Sequence, residues 1–163
     1  MSSHECCIVG QLDLQNGVTM DQVREAMDSF LESDGTEFDK QVEDGNIDVD
    51  CGLLLLHVEF KGYGGSGNNK ANQLAESLGR ICAGPGWFEV LDLETGDQES
   101  AVIPYFIGND MERRIARVEY GIQQMEPWIL PVIGKDKFQI IRDEISSLAN
   151  AEPSAGKRLA PRL

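Results

Sequence analysis

The stretch LLLLHVEFKGYGGSGNNKANQLAESLG, residues 53–79, combines an apolar run, a glycine-rich segment and a stretch of helical spacing. Four leucines followed by valine and phenylalanine are typical of a β-strand. Toward the end of the stretch Leu74 and Leu78, followed by Ile81, recur at the spacing of one side of an α-helix. The stretch therefore predicts a strand, a connecting loop and a helix, in that order.

Turn signals and apolar spacing extend this pattern in both directions. Thr19 is a candidate helix cap, Asp34-Gly35 is a candidate helix end, and Asp44-Gly45-Asn46 is typical of a hairpin turn. The predicted elements are a strand at 5–14, a helix at 19–33, strands at 36–43 and 47–59, a helix at 69–81, and strands at 87–93 and 101–107 around Thr95-Gly96-Asp97.

This order predicts an α+β fold of the ferredoxin-like kind, a βαββαβ antiparallel sheet with two covering helices and an extra strand. Beyond the sheet, we expect helices at 110–124 and 136–149, separated by an irregular segment between Pro127 and Pro131. One domain is expected over residues 1–150, with a core at 1–108 and a helical extension at 109–150. A flexible basic tail is expected at 151–163.

Composition favours a folded cytoplasmic protein. The chain has 163 residues, of which 41% are apolar, enough for the core of one domain. No apolar run approaches the roughly 20 residues of a membrane span, and no secretory signal is expected at the N-terminus. The four cysteines form no CxxC pair, and adjacent Cys6 and Cys7 would point to opposite faces of a strand. We therefore expect buried, reduced thiols.

Negative charge is concentrated in the first third of the chain. The net charge is −14; residues 1–60 hold 14 acids against two bases, a net of −12, and residues 61–163 hold 14 acids against 12 bases, a net of −2. Such a field repels nucleic acid and anionic membranes and attracts basic surfaces. The expected partner is a basic protein, with no direct contact to nucleic acid or membrane.

The glycine-rich segment resembles a phosphate-binding loop only in part. A Walker-type loop requires lysine and then serine or threonine after its last glycine. Gly62 and Gly67 have the required interval, but Asn68 and Asn69 follow, and Lys70 comes two positions late. A Gly-x-Gly-x-x-Gly spacing is also met, although a hairpin rather than a parallel strand is predicted afterwards. A mobile connection is the favoured interpretation; a small enzyme or nucleotide or ligand sensor using Gly62 to Lys70 is the alternative.

Other motifs give little support to catalysis or metal binding. Residues 44–50 imitate the start of a calcium loop, but Val49 and Leu55 occupy the positions that require glycine and a bidentate glutamate. Of the two histidines, His4 lies near the terminus and His57 lies within a predicted strand. No catalytic residue, metal ligand or cofactor is assigned, and enzymatic activity is disfavoured.

Acidic residues at helical and strand spacing are the strongest functional signal. Four of them recur at i, i+4, i+7 and i+11 on the first predicted helix, and others alternate with apolar residues on the next two predicted strands. The candidate partner-binding residues are Asp21, Glu25, Asp28, Glu32, Glu37, Asp39, Glu43, Asp48 and Asp50. They form either a solvated face that serves solubility or a recognition surface for a basic partner. If the hairpin 36–59 lies beside helix 19–33, the carboxylates would form one continuous patch.

A second candidate interface lies toward the C-terminus. Arg113, Arg114 and Arg117 form a basic cluster on the helix at 110–124, and Trp128 follows it. The arginines are expected to pair with Glu112, Glu119 or the acidic helix. The favoured interpretation of the nearby large apolar residues is that they pack in the core. The alternative is that they form a contact with a second copy of the chain or with a partner.

These properties together favour an inhibitory binding protein that acts in the bacterial cytosol and is encoded by a bacterium or by a phage. Small, very acidic chains without a catalytic signature occur among immunity proteins and antitoxins that cap basic toxins. They also occur among phage inhibitors of host defence, including anti-CRISPR proteins and DNA mimics. The likeness is one of composition, not of motifs. The expected partner is a nuclease, toxin or nucleic-acid-binding effector.

Overall fold

The computed structural model describes residues 3–63, 66–93 and 101–151. Within those ranges the chain forms a five-stranded antiparallel sheet and five helices, which confirms the predicted α+β class. The elements are β1 (Ser3–Asp13), α1 (Met20–Asp34), α2 (Phe38–Glu43), β2 (Ile47–Asp50), β3 (Leu53–Tyr63), α3 (Ser66–Leu78), β4 (Gly86–Leu93), β5 (Ala101–Ile107), α4 (Asp110–Ile133) and α5 (Lys135–Asn150).

Strand β1 lies at the centre of the sheet, whose order is β2-β3-β1-β4-β5. It pairs with β3 along its whole length and with β4 from Glu5 to Gly10, antiparallel in both cases. Because successive side chains of a strand point to opposite faces, this register decides which residues enter the core.

One face of the sheet packs against helices and forms the core. From β1 it contributes Ile8 and Leu12, and from β3 alternate residues of the apolar run. The core side chains of the two covering helices are Val23, Met27, Phe30 and Leu31 of α1 and Ala71, Leu74, Ala75 and Leu78 of α3. The strand and helix predicted from residues 53–79 are thus confirmed as β3 and α3, although α3 starts at Ser66, earlier than predicted.

Helix α1 has the boundaries that its caps predict. The Thr19 side chain accepts a hydrogen bond from the backbone N–H of Gln22, and the Gln22 side chain accepts one from the backbone N–H of Thr19. This reciprocal capping box satisfies two N–H groups that a helix start leaves without partners. Gly35 ends the helix at φ 74°, a left-handed conformation that costs glycine little.

The strand predicted at 36–43 is wrong, because this segment contains the short helix α2. Phe38 and Gln41 are buried and Val42 is half-buried, a helical rather than an alternating spacing. Gln41 is held by hydrogen bonds at both ends of its side chain: its amide donates to Thr36 Oγ1 and its carbonyl accepts from Asn46 Nδ2. A buried amide of this kind requires such partners, and this network fixes the chain between α1 and β2.

The predicted hairpin turn at Asp44-Gly45-Asn46 is also wrong, since these residues connect α2 to β2. The hairpin joins β2 to β3 instead, through Cys51 and Gly52 at φ 50° and 84°. Two successive positive φ values are typical of the two-residue turn whose twist matches that of paired strands. The predicted strand at 47–59 is therefore two strands, and Cys51 is exposed, whereas Cys6, Cys7 and Cys82 are buried as expected.

Helix α4 runs through the segment that was predicted to be irregular. Pro127 and Pro131 lie inside it, so the carbonyls of the residues four positions earlier lose their helical partner. The two prolines are four residues apart and share one side of the helix, so the hydrogen bonds on its other sides remain. Helix α5 occurs close to its predicted bounds.

The chain divides into two compact units, residues 1–116 and 117–163. The first contains the sheet with α1, α2, α3 and the start of α4, and the second contains the rest of α4 and α5. Strands β4 and β5 match their predictions; the turn predicted at Thr95-Gly96-Asp97 and the tail predicted at 151–163 lie outside the described residues, except for residue 151.

Gly10 leaves less room for an added Cβ than Gly86, another glycine of the sheet that the structure describes. A Cβ at Gly10 would lie 2.7 Å from Phe88 Cβ on the neighbouring strand, whereas a Cβ at Gly121 within α4 would meet nothing within 4 Å. We expect Gly10→Ala to lower the free energy of unfolding by about 1–3 kcal/mol. Gly121→Ala should raise it by up to about 1 kcal/mol, because alanine favours helix. Urea unfolding of both variants measures this, and equal stabilities would contradict the packing described.

Candidate acidic binding surface

Four acidic residues of α1, Asp21, Glu25, Asp28 and Glu32, form a row that we call the α1 acidic stripe. All are exposed except Asp28, which is half-buried. The buried side chains of the same helix lie on its other side, since residues advance by about 100° each around a helix. Docking of α1 on the sheet therefore turns the stripe toward solvent.

The stripe is not directly paired with a base among the described residues, although the charges of Asp21 and Asp28 act on nearby Arg24. None of its four carboxylates makes a hydrogen bond or ion pair with another described residue. The one base on α1, Arg24, is engaged elsewhere: its Nη1 and Nη2 donate to the two carboxylate oxygens of Asp39 at 2.8 and 2.6 Å. Its Cζ also lies 5.1 Å from the centroid of the Phe38 ring. Arg24 thereby links α1 to α2.

This ion pair shifts the pKa of both partners in the direction that favours their charged forms. The hydrogen bond from Arg24 is the main cause that lowers the pKa of Asp39 below its ordinary value. The same hydrogen bond raises the pKa of Arg24, with smaller contributions from the charges of Asp39, Asp21 and Asp28. Asp39, which was predicted to be part of the acidic surface, is exposed and forms an ion pair with Arg24.

The remaining predicted acids fall into two places. Glu37 and Glu43 are exposed at the two ends of α2, beside α1 in the chain. Asp48 and Asp50 lie on the edge strand β2, where Ile47 and Val49 take the core side. Strand alternation therefore directs Asp48 and Asp50 to the sheet face that α1 does not cover. The structure does not bring all nine acids into the one continuous patch that was expected.

The three arginines of the predicted basic cluster all lie on helix α4. Arg113 forms an ion pair with Asp110 at 3.0 Å, one helical turn away, rather than with the predicted glutamates. Glu112 accepts from the backbone N–H of Asn109 and so caps the start of α4. Arg114 is half-buried and Arg117 is exposed.

The second unit has its own polar link between helices. Glu119 of α4 accepts hydrogen bonds from Arg142 and Ser146 of α5, both at 3.1 Å. Trp128 on α4 is 78% exposed. The side of α4 that bears Glu119 is therefore the side that contacts α5, and sequence spacing alone did not identify Arg142 as the partner of Glu119.

The lysine of the glycine-rich segment is engaged in a structural contact. Gly67 lies within α3, and Gly64 and Gly65 lie outside the described residues. Lys70 Nζ donates to the backbone carbonyl of Ser33 at 3.1 Å, in the last turn of α1. A cation at this helix end complements its partial negative charge. The contact favours the structural interpretation of Lys70 over phosphate binding.

Other chemical sites give no competing signal in the part of the chain that the structure describes. No group of three or more His, Cys, Asp or Glu side chains there is arranged to hold a metal ion. His57 is exposed on the sheet face away from the helices. None of the helices within 3–63, 66–93 and 101–151 is both long and apolar enough to cross a membrane.

Comparison with known proteins gives no relative: no family model, no curated protein sequence and no solved structure matches the chain. The α1 acidic stripe and its surroundings therefore have to be interpreted from their own geometry.

The role of Arg24 can be measured through Asp39. A carboxylate whose pKa is lowered by folding stabilises the fold above its unfolded pKa, and this contribution is lost as pH falls through the folded pKa. Arg24→Gln should return the pKa of Asp39 toward its ordinary value, because it removes the main cause of the shift. NMR titration of the side-chain carboxyl carbons measures the midpoint.

The matched control is Lys40→Gln, which also removes one positive charge close to Asp39 in sequence. Lys40 is exposed on α2, so its loss should leave the Asp39 midpoint nearly unchanged. An Asp39 midpoint that does not rise in Arg24→Gln would contradict the ion pair described.

Proposed function

We propose that this protein is an acidic inhibitor that binds a basic, nucleic-acid-binding protein through the α1 acidic stripe. The observation that carries the proposal is the row of four carboxylates on the solvent side of α1, none of which forms a hydrogen bond or ion pair with another described residue. Ordinary soluble surfaces mix the two signs of charge, and the only arginine on α1 pairs with Asp39 instead.

The electrostatic cost of the stripe supports this proposal. Like charges three or four residues apart on a helix destabilise it by a few tenths of a kcal/mol per pair. Helix α1 tolerates the repulsion because its opposite side buries Val23, Met27, Phe30 and Leu31. A row of lysines and arginines on a partner would replace this repulsion with attraction. Binding to a basic partner would therefore lower the electrostatic free energy of the stripe more than water does.

The dimensions of the stripe suit a surface that binds a phosphate backbone. From Asp21 to Glu32 the stripe covers about 16 Å of helix, with a carboxylate every ~5–6 Å. Phosphates recur every ~7 Å along a strand and release bound counterions when a protein neutralises them. The stripe would take the place of several phosphates in a basic groove. The mechanism of inhibition would then be competition between this protein and nucleic acid.

Two biological settings need such an inhibitor, and the proposal covers both. One is immunity to a toxin, in which the partner is a basic nuclease or toxin. The other is phage anti-defence of the anti-CRISPR or DNA-mimic kind, in which the partner is a defence effector. Both place the protein in the bacterial cytoplasm, which is consistent with four free cysteines, three of them buried.

We also infer that the first unit has a ferredoxin-like arrangement. The support is the order β2-β3-β1-β4 within the sheet, together with the crossover helices α1 and α3 over one face. Strand β5 extends the sheet beyond β4. In this arrangement α1 lies on the sheet with its acidic side turned away from the core of the first unit.

The proposal predicts that affinity depends on where the acids lie and not on net charge alone. Variant A replaces Asp21, Glu25, Asp28 and Glu32 with the corresponding amides. Variant B does the same to Glu5, Asp48, Asp50 and Glu59, which are exposed on the opposite sheet face. Each removes four negative charges. We expect variant A to bind a partner captured from cell lysate about ten-fold or more weakly, and variant B to bind almost as the natural protein does.

Salt and competition measurements complete the test. Affinity should fall as ionic strength rises, and added nucleic acid should displace the protein from its partner. Equal losses in variants A and B would show that net charge alone decides binding. A stable ternary complex, with nucleic acid still in the groove of the partner, would rule out competition.

A further inference from the structure

Helix α4 carries an exposed apolar row that the proposed function does not use. Met125, Trp128, Ile129 and Val132 are 40%, 78%, 38% and 81% exposed. Their spacing of i, i+3, i+4 and i+7 places them on one side of the helix. We call this row the α4 apolar stripe. It lies wholly within the second unit.

The neighbouring helix does not cover this stripe. Helix α5 contacts the side of α4 that bears Glu119, through Arg142 and Ser146. The centre of the stripe lies about 130° around the helix from Glu119, since residues advance by about 100° each. The stripe is therefore a separate surface that remains open after the two helices have packed.

We propose that the α4 apolar stripe is the contact between two copies of this chain. A row at i, i+3, i+4 and i+7 is complementary to itself, because the ridges of one helix fit the grooves of an identical helix related by a two-fold axis. The pair would be isologous, with Trp128 and Ile129 near the axis, and each α5 would flank it.

The distribution of charge favours a second copy over other occupants. Residues 117–151 hold four bases and five acids, a net of −1, and the stretch 125–133 holds only Glu126. Two copies of a chain with net charge −14 repel each other, so they approach most easily through this nearly neutral surface. A basic partner would find little to attract it there, and an anionic membrane would repel the chain as a whole.

The area is consistent with a modest dimer. Four side chains that are 38–81% exposed present on the order of 500 Å² of mostly apolar surface, near the upper end of what one monomer shows in a single patch. A stable interface needs about 800 Å² per partner. The four side chains of the stripe supply more than half of this area.

The test is sedimentation velocity of the full chain over a wide range of concentration. We expect a monomer–dimer equilibrium that Trp128→Glu weakens at least about ten-fold, since a buried charge replaces an aromatic anchor. Gln123→Glu is the matched control: it adds one negative charge to an exposed position on the other side of the same helix, and should leave the equilibrium unchanged. Circular dichroism checks that the helices remain. If Trp128→Glu does not fold, Val132→Glu serves instead.

Two results would overturn the proposal. One is a natural protein that stays monomeric at every concentration. The other is a monomer that co-sediments with phosphatidylcholine vesicles in a manner that Trp128→Glu abolishes, which would assign the stripe to lipid. Neither result bears on the α1 acidic stripe, so failure here is distinguishable from failure of the proposed function.

Discussion

The pairing of β1 with strands on both of its edges is the constraint on which the rest of the first unit depends. Its register with β3 and β4 turns Ile8 and Leu12 toward the helices and Cys7 and Val9 toward the other face. A slip of one residue would exchange the two sets. Gly10 fits this register because Phe88, directly opposite, fills the space that a side chain would occupy.

This register determines which side of α1 faces the core, and so which side faces solvent. Val23, Met27, Phe30 and Leu31 can be buried only if the side of the helix that bears Asp21, Glu25, Asp28 and Glu32 points outward. The hydrophobic packing thus stabilises a row of like charges that an isolated helix would disfavour. The same logic separates Asp48 and Asp50 from that row, since their strand turns Ile47 and Val49 toward the core instead. Acids that are near in sequence therefore belong to different surfaces.

The sequence predicted elements well where periodicity was long or caps were explicit. Helix α1 has four apolar positions, a Thr19 cap and Gly35, which agree with one another. The segment at 36–43 is too short for two apolar residues to distinguish a strand from a helix. The hydrogen bond that the buried Gln41 side chain accepts from Asn46 comes from beyond the segment. The turn at Cys51-Gly52 was missed because Asp44-Gly45-Asn46 is the stronger turn signal.

The sequence identified the acidic residues of the surface, but it did not predict how the fold arranges them in space. Helical spacing alone identified the α1 acidic stripe. The pairing of Asp39 with Arg24 required knowledge that α2 is a helix beside α1, which spacing could not supply. Alternation along β2 places Asp48 opposite to Ile47, but its separation from the α1 acidic stripe follows only from the packing of α1 on the core face of the sheet. Similarly, prolines suggested that α4 would end early, whereas the structure continues it through both and so creates the exposed row around Trp128.

The central claim is that a partner contacts the outward side of α1. Carbodiimide labelling of carboxylates, followed by mass spectrometry, would test it most directly on the complex with a captured partner. Labelling of Asp21, Glu25, Asp28 and Glu32 should fall when the partner is bound, while Asp48 and Asp50 remain as reactive as in the isolated protein. Protection of Asp48 and Asp50 with full labelling of α1 would contradict the account and move the recognition surface to the opposite face of the sheet.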